Sequence, residues 1–300
     1  STAQIANLTN NQVASLESAD LAALSANQVA ALRTGQIAAM DSGDVAALTG
    51  EQLAAFTTAQ VRALETDDID NLALGAFGSF SSAQIAALST AQLGALSSDQ
   101  VQSLSNEQLS GLTTVQLAAL DTADLNLLTD SQFQALSTAQ IAGLTTRQVA
   151  QLDAIDLAAL SATQVAALRT AQIAGMDAAD IGVLTGEQVA ALSSAQLRAI
   201  ETNDIGSMSV SAVGSLSAAQ IAVLTTAQLG AMASDQLQAL NEGQIAGLTT
   251  TQIAAFATDD LNQFTESQFQ AFSTAQILAM TTRQVSSLDA ADISALSNQQ

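Results

Sequence analysis

Residues 1–40 read STAQIANL TNNQVASL ESADLAAL SANQVAAL RTGQIAAM when cut every eight residues, and the cut runs without insertion or deletion through residue 296. Thirty-seven complete octads result, followed by the partial octad SNQQ at 297–300. The fifth position is always Ile, Val, Leu or Phe, the eighth is always Leu, Met, Phe or Ile, and the first is usually Ser or Thr. The fourth position is Gln in 26 octads, Asp in nine, and Ala in two, at Ala76 and Ala212.

Ser or Thr followed three residues later by Gln, just before an aliphatic residue, is the signature of a helix N-terminus. The hydroxyl accepts from the main-chain N–H three residues on, and the amide reaches back to the N–H of the cap. Positions five and eight then share one face. Ala fills much of the remainder and favours helix over strand. Each octad is therefore expected to form its own short helix.

A single continuous helix is the first competing architecture. It would rotate the aliphatic pair by roughly 80° per octad and leave no seam to bury. A β-solenoid is the second, but strands call for strict alternation, and positions five, seven and eight read large, small, large. The fold expected is all-α: a repetitive solenoid of short helices, one per octad, with positions five and eight turned inward and corners of one or two residues. One such helix is too short to stand alone in water. Cohesion is expected from neighbouring coils through Ala contacts and main-chain hydrogen bonds, as in other quasi-one-dimensional proteins.

A longer period overlies the first. Residues 1–136 match residues 137–272 octad by octad, and STAQILAM from Ser273 restarts the pattern. Arg33, Arg62 and Arg147 recur as Arg169, Arg198 and Arg283, each 136 residues later. The expected organisation is a first 17-octad unit at 1–136, a second at 137–272, and the start of a third at 273–300. Because 297–300 opens another octad with no change of pattern, the sequence is expected to be a segment of a longer array.

The Asp-bearing octads are numbers 3, 6, 9, 16, 20, 23, 26, 33 and 37. In eight of them position one is also acidic, giving the pairs Glu17/Asp20, Asp41/Asp44, Glu65/Asp68, Asp121/Asp124, Asp153/Asp156, Asp177/Asp180, Glu201/Asp204 and Asp289/Asp292. Five coils per 17 octads, about 3.4 octads or 27 residues each, would stack these octads near one edge. Arg33 and Arg169, the basic residues at position one, are then candidates for cross-coil partners of the carboxylates. Two roles suit the pairs. Carboxylates from successive coils could converge on Ca²⁺, a hard cation served by oxygen ligands alone. Alternatively each acid caps its own helix, where negative charge is favourable. No twelve-residue calcium loop with a central Gly and terminal Glu is present. Gln at position four has two readings as well: the reciprocal cap, or a side-chain ladder between coils.

Composition narrows the function. With 28 acidic side chains, six Arg and no Lys, the net charge is −22, which argues against nucleic acid as a partner. Cys, His, Pro, Trp and Tyr are absent, so thiolate and imidazole chemistry and soft-metal sites are excluded, and an enzyme is not expected. The eight Phe and five Met all occupy positions five or eight and read as core. No apolar run of eighteen residues exists, so no membrane span is expected. Regular Ser and Thr at positions one and two raise an ice-binding face as a further alternative, but these positions mix freely with Asn, Asp, Ala and Arg.

The octads SSAQIAAL at 81–88, TTAQVRAL at 57–64 and TTVQLAAL at 113–120 resemble the Gln- and Ala-rich repeat arrays of very large bacterial surface or secreted proteins, loosely catalogued as haem-utilisation or adhesion proteins. The resemblance covers the whole chain. It implies export from a Gram-negative cell, an extracellular or cell-surface location, and repeats acting as an extended stalk or filament body. Haem itself is not expected, because neither His nor Cys is present. The expected function is a structural rod that self-associates into filaments. The alternatives are an adhesin stalk or binding module with calcium-stabilised coils, in contact with other surface components.

Overall fold

The computed structural model describes residues 1–300 as an all-α protein of 36 α-helices and one 3₁₀ helix, Thr202–Ser207, with no strand. Each complete octad contributes one helix of four to six residues. The chain forms two compact units, Ser1–Gln148 and Val149–Gln300.

Within each unit, a helix packs on the helix three octads later. In the first unit, Ala26–Ala30 packs on Gly50–Ala54 and Ser82–Ala87 on Asn106–Gly111. In the second, Ala162–Ala167 packs on Gly186–Ala190 and Glu242–Gly247 on Glu266–Ala271. Side-chain and main-chain contacts between coils range from 25 residues apart, as from Arg62 to Ala87, through 29, as from Ser82 to Gly111, to 31, as from Gln116 to Ile85. These spacings bracket a coil of about 27 residues, the 3.4 octads expected from the acidic octads.

The core is the aliphatic pair. From Val13 to Phe269 every position-five side chain is at most 1% exposed, and position eight lines the same interior. Phe256, Phe264, Phe269 and Phe272 meet edge to face with ring centroids 5.5–6.5 Å apart, so they are the larger core residues their positions implied.

Helices stop without help from glycine. At a typical corner Leu88 takes φ −57°, ψ 139° and Ser89 takes φ −71°, ψ 160°, so two extended residues turn the chain and the second caps the next helix. No residue has a positive φ. Some glycines serve close approach instead. A Cβ on Gly111 would lie 2.7 Å from both Cβ and the carbonyl oxygen of Ser82, and one on Gly247 would lie 2.7 Å from the carbonyl oxygen of Ala218. At these points two coils touch through backbone.

One expectation needs correcting. Every main-chain hydrogen bond outside the helices spans three or four residues, so within each unit none joins one coil to the next. The helix uses its N–H groups locally, and at the coil boundary the backbone takes part only as an acceptor.

Candidate interaction seams

The glutamine at position four supplies what the backbone lacks. Its Oε1 accepts from the N–H of the cap residue, while Thr or Ser at the cap accepts from the glutamine N–H. For Gln52 these bonds are 2.7 Å from Thr49 N and 3.3 Å to Thr49 Oγ1. The Nε2 group faces the preceding coil and donates to main-chain carbonyls there. Gln52 donates to Leu21 at 3.0 Å and Leu24 at 2.7 Å, and Gln116 donates to Ile85 at 2.8 Å and Leu88 at 2.9 Å. In the second unit Gln244 reaches Val213 and Leu216, both at 2.8 Å. The acceptors are most often positions five and eight, 31 and 28 residues earlier, and for some, such as Gln132 and Gln196, the position-six carbonyl 30 residues earlier with position eight.

Both readings of this glutamine therefore hold in one side chain, with a change to the second: the amide meets main-chain carbonyls of the next coil, not another amide. Most of these glutamines are buried, Gln36 and Gln172 completely. A buried amide with both ends bonded specifies register, because a slip of one residue would leave donor and acceptors unsatisfied. The choice of Gln over Glu was the legible signal. A capping box accepts either residue, and helix N-termini favour the acid. A site that consistently takes the neutral amide needs its N–H.

The acidic octads gather in two stacks. In the first unit, helices Ser18–Ala22, Ser42–Ala46 and Thr66–Asp70 pack in succession, bringing Glu17/Asp20, Asp41/Asp44 and Glu65/Asp68 along one flank. Ser18 Oγ donates to Asp44 Oδ1 at 3.2 Å across the first step. In the second unit, Ala154–Ala159, Ala178–Val183 and Thr202–Ser207 align Asp153/Asp156, Asp177/Asp180 and Glu201/Asp204 in the same way. Asp121/Asp124 lies apart from the first stack, on Thr122–Leu125. Asp289/Asp292 faces Glu266 on the neighbouring helix Glu266–Ala271.

Several pairs bond first within their own octad. Asp44 N donates to Asp41 Oδ1 at 2.9 Å while Asp41 N donates to Asp44 Oδ2 at 3.3 Å, and Asp289/Asp292 does the same at 2.9 and 3.2 Å. Asp177 Oδ1 accepts from both Ala179 and Asp180 N–H groups. No group of three or more carboxylates is arranged to hold a metal ion. Burial, then neighbouring acids, push the carboxyls of Asp124 and Asp204 above their ordinary range, with Asp121 and Glu201 the nearest like charges.

Asp20 requires a correction. Contrary to the reading in which each acid caps its own helix, Asp20 is exposed and its octad closes no cap. Its N–H bonds to the main-chain carbonyl of Glu17 at 2.8 Å, but Glu17 makes no side-chain cap hydrogen bond and the octad forms no capping box. Gln12, exposed as well, still closes its capping box with Thr9. A carboxylate in open water is solvated on all sides, so little favours fixing it on one N–H.

Arg33 meets a main-chain carbonyl across the coil boundary instead of the carboxylate expected. Arg33 Nη2 donates to the Leu8 carbonyl at 2.8 Å, and its Nε lies 3.4 Å from Gln36 Oε1; Arg169 Nε likewise lies 3.4 Å from Gln172 Oε1. Arg62 and Arg198 donate through Nε to the carbonyls of Ala87 and Val223. A carbonyl at the end of a neighbouring helix carries the negative end of its dipole, so a guanidinium caps it across the coil boundary.

Shallow grooves open between successive coils. One of about 310 Å³ is lined by Leu120, Asp121, Thr122, Thr145 and Arg147, and its counterpart of about 330 Å³ by Phe256, Ala257, Thr258, Thr281 and Arg283. Neither holds a nucleophile paired with a base. No helix is long and apolar enough to cross a membrane.

Comparison with known families identifies one match. The family described as ALTTAQ repeat matches residues 13–50, 37–74, 75–106, 117–154, 157–194 and 197–234, more than half of the chain. No curated protein sequence matches it. The chain is an all-α solenoid of short helices, an architecture consistent with a structural repeat protein.

Proposed function

Because the chain belongs to the ALTTAQ-repeat family, we propose that it works as an extended extracellular rod whose coil edges also join separate molecules into filaments. One observation carries this reading: the glutamine seam has a direction. Each coil offers amide donors to the coil before it and carbonyl acceptors to the coil after it. Opposite edges of such a coil are complementary, and a contact of that kind between copies is heterologous and open-ended. The net charge of −22 keeps side-by-side contacts repulsive at low salt and favours growth along the axis.

Placement outside the cell rests on the resemblance to surface and secreted arrays, and the absence of Cys is compatible with an oxidising compartment. In this reading the acidic pairs that bond within one octad, such as Asp41/Asp44, Asp177/Asp180 and Asp289/Asp292, act as charged helix caps, whereas the cap side chains Glu17, Asp153 and Glu201 make no cap hydrogen bond. What supports that role over a calcium centre is their bonding within single octads.

Electron microscopy and light scattering of the purified 300-residue chain, with Ca²⁺ and with chelator, test the proposal. Filaments of uniform width under both conditions are expected. Monomers under both would remove self-association and leave the stalk. Assembly or helicity that appears only with Ca²⁺ would replace charged caps by cation-stapled coils.

A further inference from the structure

The acidic octads keep one half of the glutamine's work and lose the other. Asp68 Oδ2 accepts from Glu65 N at 2.7 Å, and Asp180 Oδ2 accepts from Asp177 N at 3.0 Å, so each holds its cap as a glutamine would. The carbonyls that a glutamine amide would engage belong to Met40 and Leu152, 28 residues earlier. Neither accepts a hydrogen bond from the protein, although both residues lie in the core. Phe264, 28 residues before Asp292, is in the same position. An ionised carboxylate only accepts and so offers these carbonyls no donor; a protonated one gains an O–H donor.

We propose that the acidic octads are proton-operated seams: on acidification the position-four carboxyl takes up a proton and donates it to the main-chain carbonyl of the preceding coil, completing the bond that glutamine makes permanently elsewhere.

The surroundings favour uptake. Around Asp68 the charged groups are Glu65, Asp67 and Asp70 on its own helix, with Asp41 and Asp44 on the helix before; the helix after it, Thr90–Leu93, has none. Around Asp180 they are Asp177 on its own helix, Asp153 and Asp156 before it, and Glu201 and Asp204 after it. All are acids. Burial raises both carboxyls above the ordinary Asp range against the lowering pull of the cap N–H bond, and like charge adds to the rise, from Glu65, Asp67 and Asp41 at Asp68 and from Asp177 and Asp204 at Asp180. A group whose folded pKa is raised binds its proton more tightly in the folded chain than in the unfolded one. Its stabilisation is present at low pH and is lost as pH rises through the folded value. The seams are therefore loosest at neutral pH and tighten in mild acid, whether or not the rods associate.

Thermal melts of the full chain by circular dichroism, at pH 7.5 and 5.0 with chelator throughout, test this. Wild type is expected to melt measurably higher at pH 5.0 than at pH 7.5. A triple variant Asp68→Asn, Asp180→Asn, Asp292→Asn carries the donor permanently. It should melt higher than wild type at pH 7.5 and lose most of the rise. The control triple Asp99→Asn, Asp130→Asn, Glu187→Gln removes as much charge from exposed sites and should keep the rise. The idea is overturned if wild type melts no higher at pH 5.0, if the seam triple keeps the rise, or if the control matches the seam triple. Carboxyl ¹³C titration of wild type needs no variant to fold. It should resolve Asp signals titrating above the ordinary range, and their absence would equally sink the proposal.

Discussion

Residues 81–120 and the stack running from Glu17 to Asp68 share one fold and differ in one atom type at the coil boundary. In the former, Gln84, Gln92, Gln100, Gln108 and Gln116 follow one another, and each donates to two or three carbonyls of the coil before. In the latter, Asp44 and Asp68 stand where those amides would be and bring only acceptors. Both stretches bury position five equally well. Apolar burial thus sets the coil, and the polar fourth residue sets how firmly one coil holds the next.

The harshest way to break the comparison is Gln116→Glu. It keeps the capping box but aims a buried carboxylate at the carbonyls of Ile85 and Leu88. A loss of about 3–5 kcal/mol at pH 7 is expected in urea unfolding, the scale of an unpaired buried charge. Gln116→Ala should cost less, about 2–3 kcal/mol, because two acceptors lose their partner without meeting a charge. A smaller loss from Glu than from Ala would mean that the amide donor is not what holds the seam.

Gly111→Ala probes the flank where backbones touch. The new Cβ would sit 2.7 Å from Ser82 Cβ and its carbonyl oxygen, so the coils must part, at a cost of about 1–3 kcal/mol. Gly230, with open space around its Cβ position, is the control, and Gly230→Ala should be neutral or slightly stabilising. Equal effects at the two sites would remove the close-approach argument.

The smallest expected change has the opposite sign. Asp68→Gln installs the missing amide beneath the Met40 carbonyl and relieves the repulsion from Glu65, Asp67 and Asp41. A gain of about 1 kcal/mol at pH 7 is expected, shrinking in mild acid as the native Asp becomes a donor itself. Destabilisation at both pH values would show that the carboxylate is favoured there as an anion.

Much of this was legible in the octad. Position one, position four and the aliphatic pair specify a capped helix through contacts within eight residues, and such contacts can be read from adjacent letters. The 136-residue recurrence of Arg62 and Arg198 likewise anticipated that both would serve the same purpose. The purpose itself was not legible: each guanidinium meets a carbonyl 25 residues away, and any residue can supply a carbonyl. The same limit hid the second half of the glutamine's role. It also hid the difference between Asp20, exposed and bonded to no cap, and Asp44, buried and bonded to Asp41, although their octads read alike. Whether a carboxylate is buried or exposed is not written in its own eight letters.

By itself, then, the sequence determined a helix every eight residues, an interior built from positions five and eight, and a coil of about 3.4 octads inferred from where the acids recur. Tertiary structure alone decided that coils are joined by side-chain amides and guanidinium groups bonding to backbone carbonyls, with no main-chain pairing between them. The reason is physical: local periodicity is written in side-chain identity, whereas the acceptors across a seam are main-chain oxygens that every residue carries, and only the winding of the coil selects which of them a given donor meets.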